Sequence, residues 1–178
     1  MTNFFPNEDY KLPVSSNYMR FLEGENTFRV LSSAIVGWEY WTTDNKPVRS
    51  QEPPEGIPDN IKYEKDGKYR INHFWAFVVW NYEARKIQIL QLTQKSIMEV
   101  IEGLVKNPKW GHPQGYDITI TRSGSGFDTK YSTIPNPKEP IDDFILSENE
   151  EMKINLDALY ANGDPFANNE AKKRHSTH

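Results

Sequence analysis

One stretch of this chain limits the folds open to it more than any other. From Tyr69 to Tyr82 apolar residues do not alternate with polar ones. Successive side chains of a strand point to opposite faces. One face here would carry Ile71, His73, Trp75, Phe77 and Val79, and the other Phe74, Ala76, Val78 and Trp80. Neither is polar enough to meet water, so the strand needs a cover on both sides. A small barrel interior accepts Ala76 readily but would pay to bury His73. The expectation is therefore Phe74, Ala76 and Val78 inward, with His73, Trp75 and Phe77 outward.

The remaining segments can be placed around this strand. Thr27–Leu31 alternates, and Ile35–Thr42 resumes a β-like run containing Trp38, Tyr40 and Trp41. The two read as one long first strand, bent at Ser32-Ser33 and Gly37. Asp44–Lys68 contains Pro47, Pro53, Pro54, Pro58, Gly56 and Gly67, and reads as a loop long enough to suggest a function. After a turn at Asn81–Arg85, Lys86–Leu92 forms the third strand. Over Gln94–Lys106 the spacing of Ile97, Ile101 and Leu104 predicts a helix, with Thr93 as N-cap and Pro108 as stop. Tyr116–Arg122 and Asp128–Ile134 read as two further strands joined through Ser123-Gly124-Ser125-Gly126.

The resulting order, β-β-β-α-β-β, is that of an OB-fold: all-β with one helix, closed as a five-stranded barrel. Phe28, Val30, Phe74, Val78, Ile118 and Ile120 are its expected core. Residues 1–17 form an N-terminal arm, 18–138 the barrel and 139–178 a tail.

Charge separates the tail from the rest. The chain carries −4 overall. Glu139–Asp164 holds eight acids against one base, Lys153, for a net −7, and the last fourteen residues carry +2. The first 138 residues are thus nearly neutral, at +1. An acidic segment poor in aromatics is expected to stay disordered, free to compete for a basic groove or to recruit basic partners.

Several function classes lack their residues. There is no Cys, which removes thiolate chemistry, disulfides and Cys-based zinc sites. The four histidines, His73, His112, His175 and His178, have no metal-ligand spacing, and neither a phosphate-binding GxxxxGK[ST] nor a GxSxG motif is present. Acid pairs such as Asp142-Asp143 fall in the tail. The expectation is a non-enzyme without cofactor or metal. No apolar leader opens the chain and no run approaches the roughly 20 residues of a membrane span. A cytoplasmic location without membrane association is therefore expected.

Binding chemistry is better represented. Single-strand binders combine cations that follow the phosphate backbone with aromatic faces on which bases stack. Aromatic residues make up 13% of the chain, and many alternate with bases. Trp38 and Trp41 precede Lys46 and Arg49; Tyr63, Tyr69 and Arg70 lead into His73, Trp75 and Phe77; Tyr82 and Lys86 flank the next turn. Arg122, Lys130 and Tyr131 flank the last one, and Arg29 lies in the first strand. These sixteen residues are the candidate nucleic-acid contacts. A protein-interaction module, or an RNA-binding barrel, would use the same aromatic face.

The segment Tyr18–Leu31 resembles the opening of phage single-stranded DNA-binding proteins of the T-even helix-destabilising type, with Gly24, Asn26, Arg29 and Leu31 in a Gly-x-Asn-x-x-Arg-x-Leu pattern. Ile35–Trp41 through Lys46–Arg49, Phe74–Trp80 and Gly115–Arg122 are similar to phage and prophage relatives of that group. The resemblance implies an OB-fold, sequence-tolerant binding of single strands and work in DNA replication, recombination or repair in the host cytoplasm. It also implies an acidic tail that contacts replication or recombination proteins. That type carries a zinc subdomain built on Cys and His after its first strand. The corresponding loop here has no Cys, so no zinc is expected.

Overall fold

The computed structural model of the protein describes Phe4 and residues 16–167. Seven antiparallel strands form one sheet: β1 (Gly24–Val30), β2 (Ile35–Trp41), β3 (Pro47–Ser50), β4 (Asn72–Asn81), β5 (Lys86–Leu92), β6 (Asp117–Ser123) and β7 (Lys130–Pro135). Two helices accompany it, α1 (Lys95–Lys106) and α2 (Asp143–Met152). No described helix is long and apolar enough to cross a membrane.

The long strand β4 is the spine. β5 pairs along one edge, from Trp75↔Leu92 to Asn81↔Lys86. β2 and β1 share the other edge, β2 against Asn72–Ala76 and β1 against Val79–Asn81. The bend between them falls at the expected serines. Leu31 donates its N–H to the Val78 carbonyl (2.8 Å), and Ser32 Oγ accepts the Val78 N–H (2.9 Å), so the ladder continues around the corner. Gly37 has a different role from the expected bend. A Cβ there would lie 2.4 Å from the Ser50 carbonyl oxygen, so glycine lets β3 approach β2 closely.

The expected loop at 44–68 thus contains a strand, β3, which begins at Pro47 on the sheet's edge, where a missing N–H is tolerated. β1 continues the sheet into β6, and β6 into β7. The expected closed five-stranded barrel does not form: β5 and β7 do not pair, and the sheet is open. Both edges that closure would join have other neighbours. Ile89 of β5 exchanges backbone hydrogen bonds with Asn17 and Met19 (both 2.9 Å), while α1 lies against β7.

Both faces of β4 are covered, as its composition requires, but the covers differ from those expected. Phe77 and Val79 pack with Phe28, Val30, Ile118 and Ile120 beneath Ile97, Met98 and Ile101 of α1. Phe74, Ala76, Val78 and Trp80 face the opposite way, toward the C-terminal segment. The inward and outward assignments are therefore not as anticipated: the curved interior capped by α1 receives Phe77, and His73 escapes burial by lying near the strand's start.

The expected disordered tail is, over residues 139–167, a folded cover; residues 168–178 and most of the 1–17 arm lie outside the described residues. Ile145 packs with Leu31, Val78, Trp80 and Ile87, and Leu159 and Phe166 pack with Phe74, Ala76 and Ile89. Asn155 donates to the Pro165 carbonyl (2.9 Å), closing the segment on itself. Its eight acids are all exposed, on its outer side. Replacing a core Phe with Ala costs about 3–5 kcal/mol. Phe166→Ala should accordingly lower stability by about 3 kcal/mol in urea unfolding followed by tryptophan fluorescence; an unchanged midpoint would mean that the segment is not part of the fold.

Candidate nucleic-acid interface

The sixteen residues singled out from sequence separate into those the fold consumes and those it leaves open. Arg29 is the clearest of the first group. It is 1% exposed, and its Nε donates to Asp117 Oδ1 at 2.7 Å. Nη1 reaches the Gln114 carbonyl at 3.2 Å, while Nη2 is buried without a hydrogen-bond partner among the described residues. The Tyr82 hydroxyl donates to the same Asp117 oxygen at 2.9 Å. Burial, and then the bonded carboxylate, push the Tyr82 pKa well above the usual tyrosine range. Arg29, Asp117 and Tyr82 therefore lock β1, β6 and the end of β4 together, which removes Arg29 from the surface where phosphate would be met.

Other candidates are also engaged. Phe77 is buried, with its ring 6.3 Å from that of Phe28. Arg49 Nε lies 2.9 Å from Glu39 Oε2 and donates to Gln91 Oε1 at 3.1 Å, tying β3, β2 and β5 together. Lys86 Nζ donates to the Ser16 carbonyl (3.1 Å). Arg122 Nη1 donates to the Phe21 carbonyl (2.9 Å), and Tyr131 meets the Phe21 ring edge-on at 5.8 Å.

The open group gathers at the β2–β4 end of the sheet and in the connection from β3 to β4. Trp41, Tyr63 and Tyr69 are exposed large rings. The Lys62 N–H donates to the Trp41 carbonyl (2.8 Å), which sets Tyr63 next along the chain from this junction. Tyr63 and Tyr69 form an isolated antiparallel bridge, their rings edge-on at 6.1 Å. Lys46 and Arg70 are exposed, Arg70 with Asp66 at 3.8 Å. Cross-strand partners Trp38 and His73 bring their rings to 4.9 Å, with His73 exposed and Trp38 half-buried. Trp75 follows on the same face, half-buried between two hollows. The first, of about 290 Å³, is walled by Val36, Phe77, Ile101 and Val105; the second, of about 370 Å³, by His73, Thr93, Lys95 and Met98. Lys130 is exposed on β7, apart from this group in the sheet order.

Two exposed residues lie outside the sixteen. Lys62, exposed beside Tyr63, holds Asn45 Oδ1 at 2.7 Å. Phe127 stands fully exposed in the β6–β7 connection. Its signal was a bulky aromatic directly after a Ser-Gly-Ser-Gly turn. Among the described residues no group of His, Asp or Glu is placed to hold a metal ion.

What the open rings can do follows from their chemistry. They offer flat apolar faces with cations nearby, a surface suited to stacking planar groups. No family model, curated protein or solved structure matches the chain.

Removing one partner of a buried ion pair costs about 3–5 kcal/mol. Asp117→Asn should destabilise the fold by that amount in urea unfolding. An unchanged midpoint would contradict the structural role given to Arg29.

Proposed function

We propose that this protein binds single-stranded DNA without strong sequence preference, by stacking bases on open aromatic rings and pairing phosphates with nearby cations. The observation that carries the reading is the concentration of exposed rings, Trp41, Tyr63, Tyr69 and His73 with half-buried Trp38 against it, beside exposed Lys46, Lys62 and Arg70. Rings left in water at this density gain little for the fold, whereas each can contribute about 1–3 kcal/mol by stacking on a base.

Connectivity supports an OB-type reading of the sheet. With β1 and β2 counted as one bent strand and β3 as an edge addition, the order is strand, strand, strand, helix, strand, strand, and the bent strand pairs with both β4 and β6. In that scheme the gap between β5 and β7 is an OB barrel left open, and the connections after β2 and between β6 and β7 are its ligand loops. The phage-type resemblance includes Gly24, Asn26, Arg29 and Leu31. Here Asn26 and Arg29 have structural roles: the Asn26 amide binds the Leu22 and Ile120 backbones, and Arg29 binds Asp117. A role in phage replication, recombination or repair in a host cytoplasm is part of the same proposal. So is recruitment of basic partner proteins by the outward acids of 142–157, such as Asp142, Asp143, Glu148 and Glu150.

A protein-interaction reading has one specific observation in its favour, the strongly apolar hollow between Trp75 and α1. Titration with oligo(dT) separates the two. Single-strand binding should quench tryptophan fluorescence and weaken with salt, log Kd changing against log salt by about 0.7 per phosphate neutralised. Trp41→Ala should weaken binding by about 1–3 kcal/mol with the fold intact. No quenching, a flat salt dependence or a preference for duplex would overturn the proposal. Equal competition by matched RNA would widen it to single strands of both kinds.

A further inference from the structure

A hollow of about 290 Å³ opens to solvent between α1 and the sheet, and its walls are almost wholly apolar. Trp75 and Phe77 of β4, Val36 of β2, and Ile101 and Val105 of α1 form them, and the β1–β2 bend at Ser32–Ala34 completes them. Val36 is 50% and Val105 43% exposed, so two branched side chains stand in water around one cleft. Glu102, Lys106 and His112 lie on its rim. Single exposed apolar side chains need no partner, whereas an apolar patch rimmed by polar groups marks an interaction site. The rim leans toward an acidic visitor. Lys106 Nζ is 3.4 Å from Glu102 Oε1, a weak exposed pair. His112 Nδ1 accepts the Gln114 N–H (3.2 Å), which leaves Nε2 to carry the ring proton and donate outward. Small organic ligands occupy cavities of about 300 Å³ and more that enclose most of their surface. This hollow is smaller and open, and suits one apolar side chain presented by a protein.

The chain itself carries such a side chain. Phe127 is fully exposed in the β6–β7 turn. The turn is held in shape: Gly124 has φ +80°, a Cβ there would lie 2.2 Å from the Asp128 carbonyl oxygen, and the Asp128 N–H donates to the Ser125 carbonyl (3.0 Å). Asp128, exposed beside the ring, supplies the carboxylate that the rim favours. The ring cannot fill the hollow of its own chain. β6 runs antiparallel to β1, with Gly24 opposite Arg122 and Arg29 opposite Asp117. The turn after Ser123 therefore lies past the start of β1, while the hollow, lined by Val30 and Ser32–Ala34, lies past its end. Seven strand residues at about 3.3 Å each put roughly 20 Å between the two. A knob and a hollow at opposite ends of one strand can meet only between two molecules.

We propose that the protein associates with itself head to tail, Phe127 of one copy entering the hollow between Trp75 and α1 of the next. The two surfaces differ, so the contact is heterologous, and each pair keeps a free knob at one end and a free hollow at the other. One buried aromatic ring covers about 150–250 Å², far less than the total of about 1,200 Å² in a stable interface. Association is therefore weak and reversible, and shows only at high protein concentration. It needs no nucleic acid, and it stands or falls independently of the single-strand reading.

Sedimentation velocity of the full chain without nucleic acid, at concentrations up to about 1 mM, tests it. The weight-average mass of the wild type should climb past that of a dimer, because a heterologous contact leaves both ends open. Phe127→Ser removes the knob, and Val105→Glu puts a charge on an exposed wall of the hollow. Each should weaken association about thirtyfold, as loss of a central anchor does, with melting temperature unchanged. Mixed in equal amounts, the two variants should form dimers and nothing larger. The knob of the Val105→Glu chain fits the hollow of the Phe127→Ser chain, and no second contact is possible. Should Val105→Glu lower the melting temperature, Ala34→Phe, which fills the hollow from the exposed bend, takes its place in the mixture. A wild type that stays monomeric throughout would overturn the inference. So would association that survives Phe127→Ser, which would point to an isologous contact of hollow against hollow, or a mixture of variants that stays monomeric.

Discussion

Burial of both faces of β4 is the constraint on which the rest of this structure depends. A strand with Phe77 and Val79 on one side and Phe74, Ala76, Val78 and Trp80 on the other leaves no polar face for solvent. Fully burying such side chains is worth about 1.5–3 kcal/mol each, so each face needs a layer of its own. The helix α1 and the strands β1 and β6 supply one layer, and the segment from Ile141 to Phe166 supplies the other. The C-terminal cover is thus part of the folded unit. With both broad faces engaged, exposed aromatic rings lie at the end of the β2–β4 pair, in the β3–β4 connection and at the β6–β7 tip, and singly at Tyr82 and Phe144.

Much of this organisation was legible from residue pattern. Two-sided apolar character marked β4, the Ser32–Ser33 pair marked the bend, and the spacing of Ile97, Ile101 and Leu104 marked α1. The identity of each cover was not legible, because period-2 alternation separates two faces without saying what each one meets. Ala76 and His73 pointed to one inward face, but position along the strand decided the matter: His73, at the edge of the covered region, stays exposed while Phe77, two pairs further in, is buried. In the acidic tail, eight carboxylates masked Ile145, Leu159 and Phe166, whose irregular spacing fits neither a regular helix nor a strand. Such positions become recognisable as anchors only once a sheet is present to receive them.

Among the candidate contacts, place in the fold decided which stayed open, for aromatics and cations alike: Phe77 is buried in β4, while Lys46 and Arg70 are exposed outside the strands. Trp41, Tyr63 and Tyr69 lie beyond the covered sheet and remain open. Arg29, Arg49 and Arg122 arise within or beside strands, where a long guanidinium finds carboxylates and carbonyls of neighbouring strands before it finds solvent. A basic residue in a strand is therefore a weak sign of a phosphate contact when an acid such as Asp117 or Glu39 faces it. The proposed grip on DNA accordingly shifts from electrostatic toward aromatic, with Lys46, Lys62 and Arg70 as its main cations.

Amide hydrogen–deuterium exchange of the full chain with and without oligo(dT) tests the central claim most directly, that a ligand meets the sheet's ends while both covers of β4 stay in place. Slower exchange is expected at 41–46, 61–73 and 123–130, with 143–167 unchanged. Faster exchange across 143–167 on binding would show instead that the strand displaces the C-terminal cover to reach the face beneath it, and would contradict the account.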